Sequence, residues 1–145
     1  MNALDPRTIL LAKHAQHVVL VHFPIAAFIT AVGFDCAAQW TRQPRIAAAA
    51  YFNLLIAAAS TVPVIGTGLA AWQWALEGQS LKGVLLLHLV LGTASSVFIV
   101  LSWWIHWRRR RSAAPLPAHR LAVEAIGVIV VALTGHLGGV LAGVI

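Results

Sequence analysis

Residues 121–145 read LAVEAIGVIVVALTGHLGGVLAGVI, a largely apolar run near the C-terminus. A helix of about 20 residues crosses a hydrocarbon core of about 30 Å, so this run predicts a membrane span. Within it, Thr134-Gly135-His136-Leu137-Gly138-Gly139 places an imidazole among small residues. A histidine in hydrocarbon is costly unless it is paired or ligated, and the motif therefore indicates a functional site.

Three further apolar runs are long enough to cross a membrane in the same way. The chain has 145 residues, 60% of them hydrophobic and 10% charged, which is too apolar for a soluble domain and too short for several domains. The period-two alternation of a membrane β-barrel is absent. We therefore predict one all-α domain over residues 1–145, an up-down-up-down bundle of four transmembrane helices, with spans at about 18–38, 46–72, 83–105 and 121–145.

Two prolines mark features near the N-terminus. Asp5 followed by Pro6 is typical of a helix start, and it predicts a short interfacial helix before the first span. Pro24 lies inside the first span, where it removes one backbone donor and leaves the carbonyl of Leu20 without its partner. The tryptophans mark the predicted helix ends, with Trp40, Trp103, Trp104 and Trp107 at one end and Trp72 and Trp74 at the other.

Arginines are concentrated in the loops after the first and third spans, at Arg42, Arg45, Arg108–Arg111 and Arg120. The positive-inside tendency predicts that these loops are cytoplasmic and that both termini are periplasmic, in a multi-pass protein of a bacterial inner membrane. These loops account for most of the formal net charge of +6, so nucleic-acid binding is not expected. We interpret Asp35 as a partner for loop arginines, with a role in a proton relay as the alternative.

Histidines on three different spans reach a common depth. His22 and His88 each lie 20 residues before an arginine of the loops, about 30 Å along a helix. His136 lies 16 residues after Arg120, about 24 Å along its helix. All three therefore reach the leaflet opposite the arginines. Small residues reach the same level, among them Gly66, Gly92 and Gly139.

Imidazoles at one depth favour a bis-histidine haem b, since bundle cores are a recurrent place for such sites. His22 and His88 are the preferred axial pair because the first and third spans lie diagonally in such a bundle; His136 is the third candidate and His17 the fourth. The glycines would give room for a planar cofactor or for close helix packing. Two alternatives stay open: copper or zinc held by His22, His88 and His136, or histidines that only fix packing.

Other polar residues would support such a site. Thr67 and Thr134 are expected to accept hydrogen bonds from the ring N–H groups and so set the tautomers. Lys13, Lys82 and Arg7 lie on the side where they could meet haem propionates, or they are ordinary interfacial cations. His106 and His119, at the opposite side, are interpreted as interfacial residues.

The motifs that carry these residues also resemble a known family. They are His17-Val-Val-Leu-Val-His22-Phe23-Pro24-Ile25-Ala26, then Asp35, Gly66, His88 with Gly92, and Thr134-Gly135-His136-Leu137-Gly138-Gly139. Over nearly all of residues 14–145 this pattern resembles a domain-of-unknown-function family of small four-helix bacterial inner-membrane proteins. Val18 stands where the opening motif of that family has its first proline. Some relatives are fused to cytochrome c domains, which implies a redox setting.

We therefore predict a b-type cytochrome electron-transfer subunit with its haem in the periplasmic leaflet. It would pass electrons between a membrane donor such as a quinol and a periplasmic acceptor such as a cytochrome c, in contact with the lipid bilayer and other membrane subunits. No nucleophile with its base is found, so an electron-transfer or accessory subunit is expected rather than a stand-alone enzyme. The alternative is a non-redox structural or assembly subunit of a larger membrane complex, in which the histidines serve packing alone.

Overall fold

A computed structural model describes residues 15–112 and 117–143, and all regular structure within these ranges is helical. Four candidate membrane spans are present, which confirms the predicted fold class. The predicted interfacial helix around Asp5 and Pro6 lies outside the described residues. The helices are α1 (Ala15–Leu20), α2 (His22–Thr41), α3 (Pro44–Ala75), α4 (Gly83–Ser112) and α5 (His119–Leu141), with α1 and α2 together forming the first span.

The first span is interrupted at Val21, between α1 and α2. Because Pro24 has no backbone N–H, the carbonyl of Leu20 loses its usual donor. Val21 N–H still donates to the His17 carbonyl at 3.0 Å, so the chain continues without leaving the bundle. The predicted interruption of the hydrogen-bond ladder is therefore present, although Val21 keeps a helical backbone with φ -60° and ψ -26°.

The links between helices follow the local sequence. Helix α2 ends at Thr41 and is capped by Arg42, which has a left-handed backbone (φ 55°) and whose N–H donates to the Ala38 carbonyl at 2.8 Å. Two residues after Arg42, Pro44 opens α3 at a position where a missing N–H costs nothing. Helix α4 continues beyond the predicted end at Ile105 as far as Ser112, so the first arginines after the third span are helical.

The four spans pack as a ring of antiparallel neighbours. Helix α2 packs against α3, α3 against α4, and α4 against α5, while α2 also touches α5 and α1 packs on α3. We call the end where α2 and α4 finish the arginine end, and the opposite end, which contains His17 and His88, the histidine end. The predicted up-down-up-down topology therefore holds, and α2 and α4 are diagonal.

A small apolar core separates the two ends. Phe28, Leu54, Ile99 and Val131 come from four different helices and are at most 3% exposed. A Cβ atom at Gly127 would lie only 2.9 Å from Cζ of Phe28, so the glycine makes room for the aromatic ring. The polar groups described below are therefore divided into two separate layers.

Candidate functional site

Two histidines meet at the histidine end, His17 of α1 and His88 of α4. Both are half-buried, and their rings lie within electrostatic range of each other. His17 Nδ1 lies 3.2 Å from the hydroxyl oxygen of Thr67 on α3, and His88 Nδ1 lies 3.1 Å from the backbone carbonyl of Thr134 on α5. Four helices thus contribute to this layer.

The hydrogen bonds define the tautomers of both rings. A backbone carbonyl can only accept, so His88 must carry its proton on Nδ1. The Thr67 hydroxyl donates to the Pro63 carbonyl at 2.8 Å, so it accepts from the N–H of His17 Nδ1. Each neutral ring therefore has its lone pair on Nε2, and for His88 no hydrogen bond to Nε2 is found among the described residues. The His17 ring also lies within hydrogen-bonding reach of the Val64 backbone. An imidazole fixed at Nδ1 with Nε2 open is the usual arrangement of a metal-ligating histidine.

Glycines lie directly against the two rings. A Cβ atom at Gly68 would stand 2.9 Å from Cε1 of His17, and one at Gly138 would stand 3.2 Å from Cε1 of His88. Side chains at these positions would displace the rings, so both glycines belong to the site. Gly138 is part of the Thr-Gly-His-Leu-Gly-Gly motif, whose steric role is thus to accommodate His88 rather than His136.

The other predicted histidines lie elsewhere at this end. His22 is exposed, and its Nδ1 donates to the Val18 carbonyl at 2.7 Å, which belongs to the same membrane span. It lines a groove of about 390 Å³ between α2 and α3 rather than facing α4. His136 is exposed on α5. The structure therefore brings His88 together with His17, and the identity of any axial pair stays a prediction.

Of the residues predicted to support the site, some contact the histidine rings and others do not. Thr67 accepts from His17 through its hydroxyl, as expected. Thr134 instead presents its carbonyl to His88, because its hydroxyl already contacts Ser95 Oγ at 2.9 Å and donates to the Val130 carbonyl. Among the predicted glycines, Gly66 has open space beside it, Gly92 lies near the Thr134 methyl group and Gly139 is half-buried. Lys82 is exposed, whereas Lys13 and Arg7 lie outside the described residues.

A second polar layer lies toward the arginine end. Arg120 Nε of α5 donates to Asp35 Oδ2 of α2 at 2.7 Å, and its Nη2 donates to the Gln39 side-chain oxygen at 2.7 Å. Asp35 pairs with an arginine, as interpreted from the sequence. The partner is Arg120, however, and not Arg42 or Arg45, which are nearer along the chain. The pair is almost completely buried, so it joins two helices across the bundle.

His106 and Glu124 complete this layer. His106 Nε2 of α4 lies 3.0 Å from Glu124 Oε1 of α5 and 3.9 Å from Asp35 Oδ1. The interpretation of His106 as interfacial is wrong, because its side chain is enclosed by the bundle. Glu124 was missed in the sequence analysis, although an acidic residue inside an apolar run is itself a signal for a buried polar site.

The ligand atoms of Asp35, His106 and Glu124 lie within 4.8 Å of one another, which is close enough for a metal ion. The Arg120 guanidinium, however, already supplies a cation to Asp35 at 2.7 Å. A divalent ion would add like charge to the same buried space, so we assign no metal there.

The arginine end also contains a cavity of about 790 Å³. Its walls are aromatic and cationic, formed by Trp104, Ile105, Trp107, Arg108, Arg109, Arg111, Ser112, Pro117 and His119. Arg120 Nη1 donates to the Pro117 carbonyl at 3.3 Å, so the buried layer touches the cavity wall through one hydrogen bond.

The four candidate spans agree with one comparison to known proteins. No curated protein and no solved structure matches the chain. Residues 13–144, by contrast, match the family described as "Predicted membrane protein (DUF2231)". The match covers most of the chain and confirms the resemblance to a membrane-protein family whose domain has no assigned function, so this protein belongs to the DUF2231 family of predicted membrane proteins.

Proposed function

We propose that this protein is a membrane-embedded b-type cytochrome that carries electrons, with haem held by His17 and His88 at the histidine end. One observation carries the proposal: the imidazoles of His17 and His88, from diagonal spans, lie within electrostatic range of each other, and each is bonded to a neighbouring helix through its Nδ1.

The residues around the pair support this proposal. Gly68 and Gly138 lie against the rings where any larger side chain would displace them. Thr67 and the Thr134 carbonyl fix the ring orientation and raise the basicity of the Nε2 atoms. When bound, haem would supply one-electron chemistry, and the chain's own contribution is to hold both nitrogens in place and to keep the ring pair half-buried among apolar helices.

The direction of electron flow rests on orientation. The positive-inside tendency assigns the arginine end to the cytoplasm, which puts the histidine end and both termini toward the periplasm of a bacterial inner membrane. We infer a membrane donor such as a quinol and a periplasmic acceptor such as a cytochrome c. The exposed apolar surface, which includes Phe23, Phe52 and Leu69, is available to lipid and to further membrane subunits.

The test is a reduced-minus-oxidised absorbance spectrum of protein purified from membranes, with a haem count by pyridine haemochrome. We expect a low-spin b-type spectrum that disappears in His17→Ala and in His88→Ala. His119→Ala is the matched control, since His119 is an exposed histidine at the other end, and it should keep the full spectrum.

Three other outcomes of this test would change or exclude the haem assignment. Loss of the spectrum in His22→Ala, with retention in His17→Ala, would move the axial pair to His22 and His88. A protein that is folded, colourless and without bound porphyrin would exclude the cytochrome. A copper or zinc signal without porphyrin would assign a bare metal to the same nitrogens.

The second candidate function is a structural or assembly subunit of a larger membrane complex. It is favoured by the fact that His17 and His88 each already bond a neighbouring helix, which is also what packing histidines do. In that case the His17→Ala and His88→Ala proteins would lose stability but no colour, and the same spectrum separates the two functions.

A further inference from the structure

Four titratable side chains that take no part in the proposed haem site are buried together toward the arginine end. Asp35, His106, Arg120 and Glu124 are 2%, 4%, 3% and 1% exposed, and they come from α2, α4 and α5. Ionisable groups in a membrane bundle are retained only where they are paired, or where they serve ion or proton movement.

The charges of this cluster do not cancel by themselves. Arg120 is paired with Asp35 through Nε at 2.7 Å. Glu124 is left with His106, and a neutral imidazole brings no charge. The two carboxylates and one guanidinium therefore leave one uncompensated negative charge inside the bundle, which is strongly unfavourable.

No other charged group among the described residues supplies the missing cation. Helix α3 carries only Arg45, which is exposed, and Tyr51 as titratable residues. On α4, the Arg110 guanidinium lies 4.3 Å from the centre of the Tyr51 ring, and that of Arg111 lies 4.6 Å from the centre of the Trp107 ring. Both arginines thus cover aromatic rings, and neither forms an ion pair with Glu124.

One atom indicates how the charge is neutralised. Oε2 of Glu124 is buried and has no hydrogen-bond partner within the described residues. A charged carboxylate oxygen in that position costs more than the neutral carbonyl oxygen of a carboxylic acid. We propose that Glu124 carries an exchangeable proton on Oε1, donated to His106 Nε2 over 3.0 Å, and that this pair is a proton-binding site inside the membrane.

With that proton the buried cluster is neutral, with Asp35 balanced by Arg120 and Glu124 uncharged. Uptake forms one O–H bond on Oε1 with a proton from water, and release returns the proton to water. No electron is transferred, so the site does not depend on the haem. His106 accepts the hydrogen bond and orients the carboxyl group, which makes it a positioning residue.

The position of Glu124 along α5 indicates the side of the membrane from which protons reach it. Glu124 lies five residues after the start of α5 at His119, about 8 Å along the helix, whereas the other end at Leu141 is about 26 Å away. Arg120 bonds the carbonyl of Pro117, which lines the cavity of about 790 Å³ at the arginine end. Protons therefore exchange between Glu124 and the aqueous phase at that end.

The test is infrared difference spectroscopy of the full chain in lipid vesicles, recorded between acid and alkaline pH in H₂O and in D₂O. We expect one carboxylic-acid carbonyl band that shifts in D₂O and disappears as the pH rises. The chain contains only two glutamates, Glu77 and Glu124, so isotope-labelled glutamate separates a glutamate band from those of the aspartates and the C-terminus.

Variants then identify the residue. Glu124→Gln should remove the band, whereas Glu77→Gln, at an exposed position in the link before α4, should keep it. His106→Gln should shift the band, because the carboxyl group loses its acceptor. The proposal is overturned if no labelled band is present at any pH at which the protein is folded, or if the band survives in Glu124→Gln. It is also overturned if the purified protein holds one divalent metal ion per chain that Glu124→Gln lacks.

Discussion

The two polar layers of this bundle differ in burial and in hydrogen bonding. At the arginine end, ionisable side chains from three helices are almost fully buried and bond one another over 2.7–3.0 Å, although Oε2 of Glu124 has no partner among the described residues. At the histidine end, two rings are half-buried, and each bonds a neighbouring helix through its Nδ1. A buried network stabilises the fold, whereas a half-buried pair of rings is suited to an added ligand. Substitutions at the two ends should therefore have different consequences.

The largest effect on stability should come from Arg120→Leu. The change leaves Asp35 buried without its cation, and breaking a buried pair in this way costs about 3–5 kcal/mol. Equilibrium unfolding in mixed micelles measures the loss, with the exposed Arg45→Leu as control. If Arg120→Leu and Arg45→Leu unfold alike, the arginine end does not carry the stability assigned to it. The double variant Asp35→Leu with Arg120→Leu should recover much of the loss.

An intermediate effect is expected from Gly68→Ala at the histidine end. The added Cβ meets Cε1 of His17 at 2.9 Å, and overpacking of this kind costs about 1–3 kcal/mol. Haem content should fall with it, because the ring moves away from its position. Gly66→Ala is a matched control two residues away with open space around its Cβ, and equal behaviour of the two variants would contradict the close contact.

A smaller change in stability should follow His88→Ala in the haem-free protein. It removes one hydrogen bond to the Thr134 carbonyl, and interhelical hydrogen bonds in membranes contribute about 0.6 kcal/mol on average. The haem spectrum, by contrast, should be lost completely. A stability loss comparable to that of Arg120→Leu, measured in the same micelles, would show that the histidine end is a second structural network.

The smallest effect should come from His22→Ala. His22 is exposed and bonds only the Val18 carbonyl among the described residues, so its removal should change stability by less than about 0.5 kcal/mol. The haem spectrum should also remain. Thermal unfolding and the difference spectrum check both points, and a colourless His22→Ala protein would return His22 to the axial pair.

The sequence was sufficient for the spans and for the depth of the histidines, because run length and a fixed rise per residue determine both. It was not sufficient for the direction of each ring. His17 and His22 are five residues apart, about 140° around an ideal helix, so the two side chains face different sides. Depth alone therefore favoured His22, whereas the structure places His17 within electrostatic range of His88.

The buried network was harder to anticipate for a different reason. Arg120 appears in the sequence as one more loop arginine, and His106 lies next to tryptophans and arginines typical of a membrane interface. Their burial depends on which face of α4 and α5 meets α2, and one sequence does not specify that rotation. The lone glutamate in the fourth apolar run was the available signal, since Glu124 needs a partner wherever the helix is placed.

The two-residue connection formed by Arg42 and Gln43 also bears on how the chain reaches the bilayer. An αα-hairpin with so short a link keeps its two helices close together. We therefore expect helices α2 and α3 to enter the lipid as one unit. Lengthening this link would uncouple the insertion of the two arms.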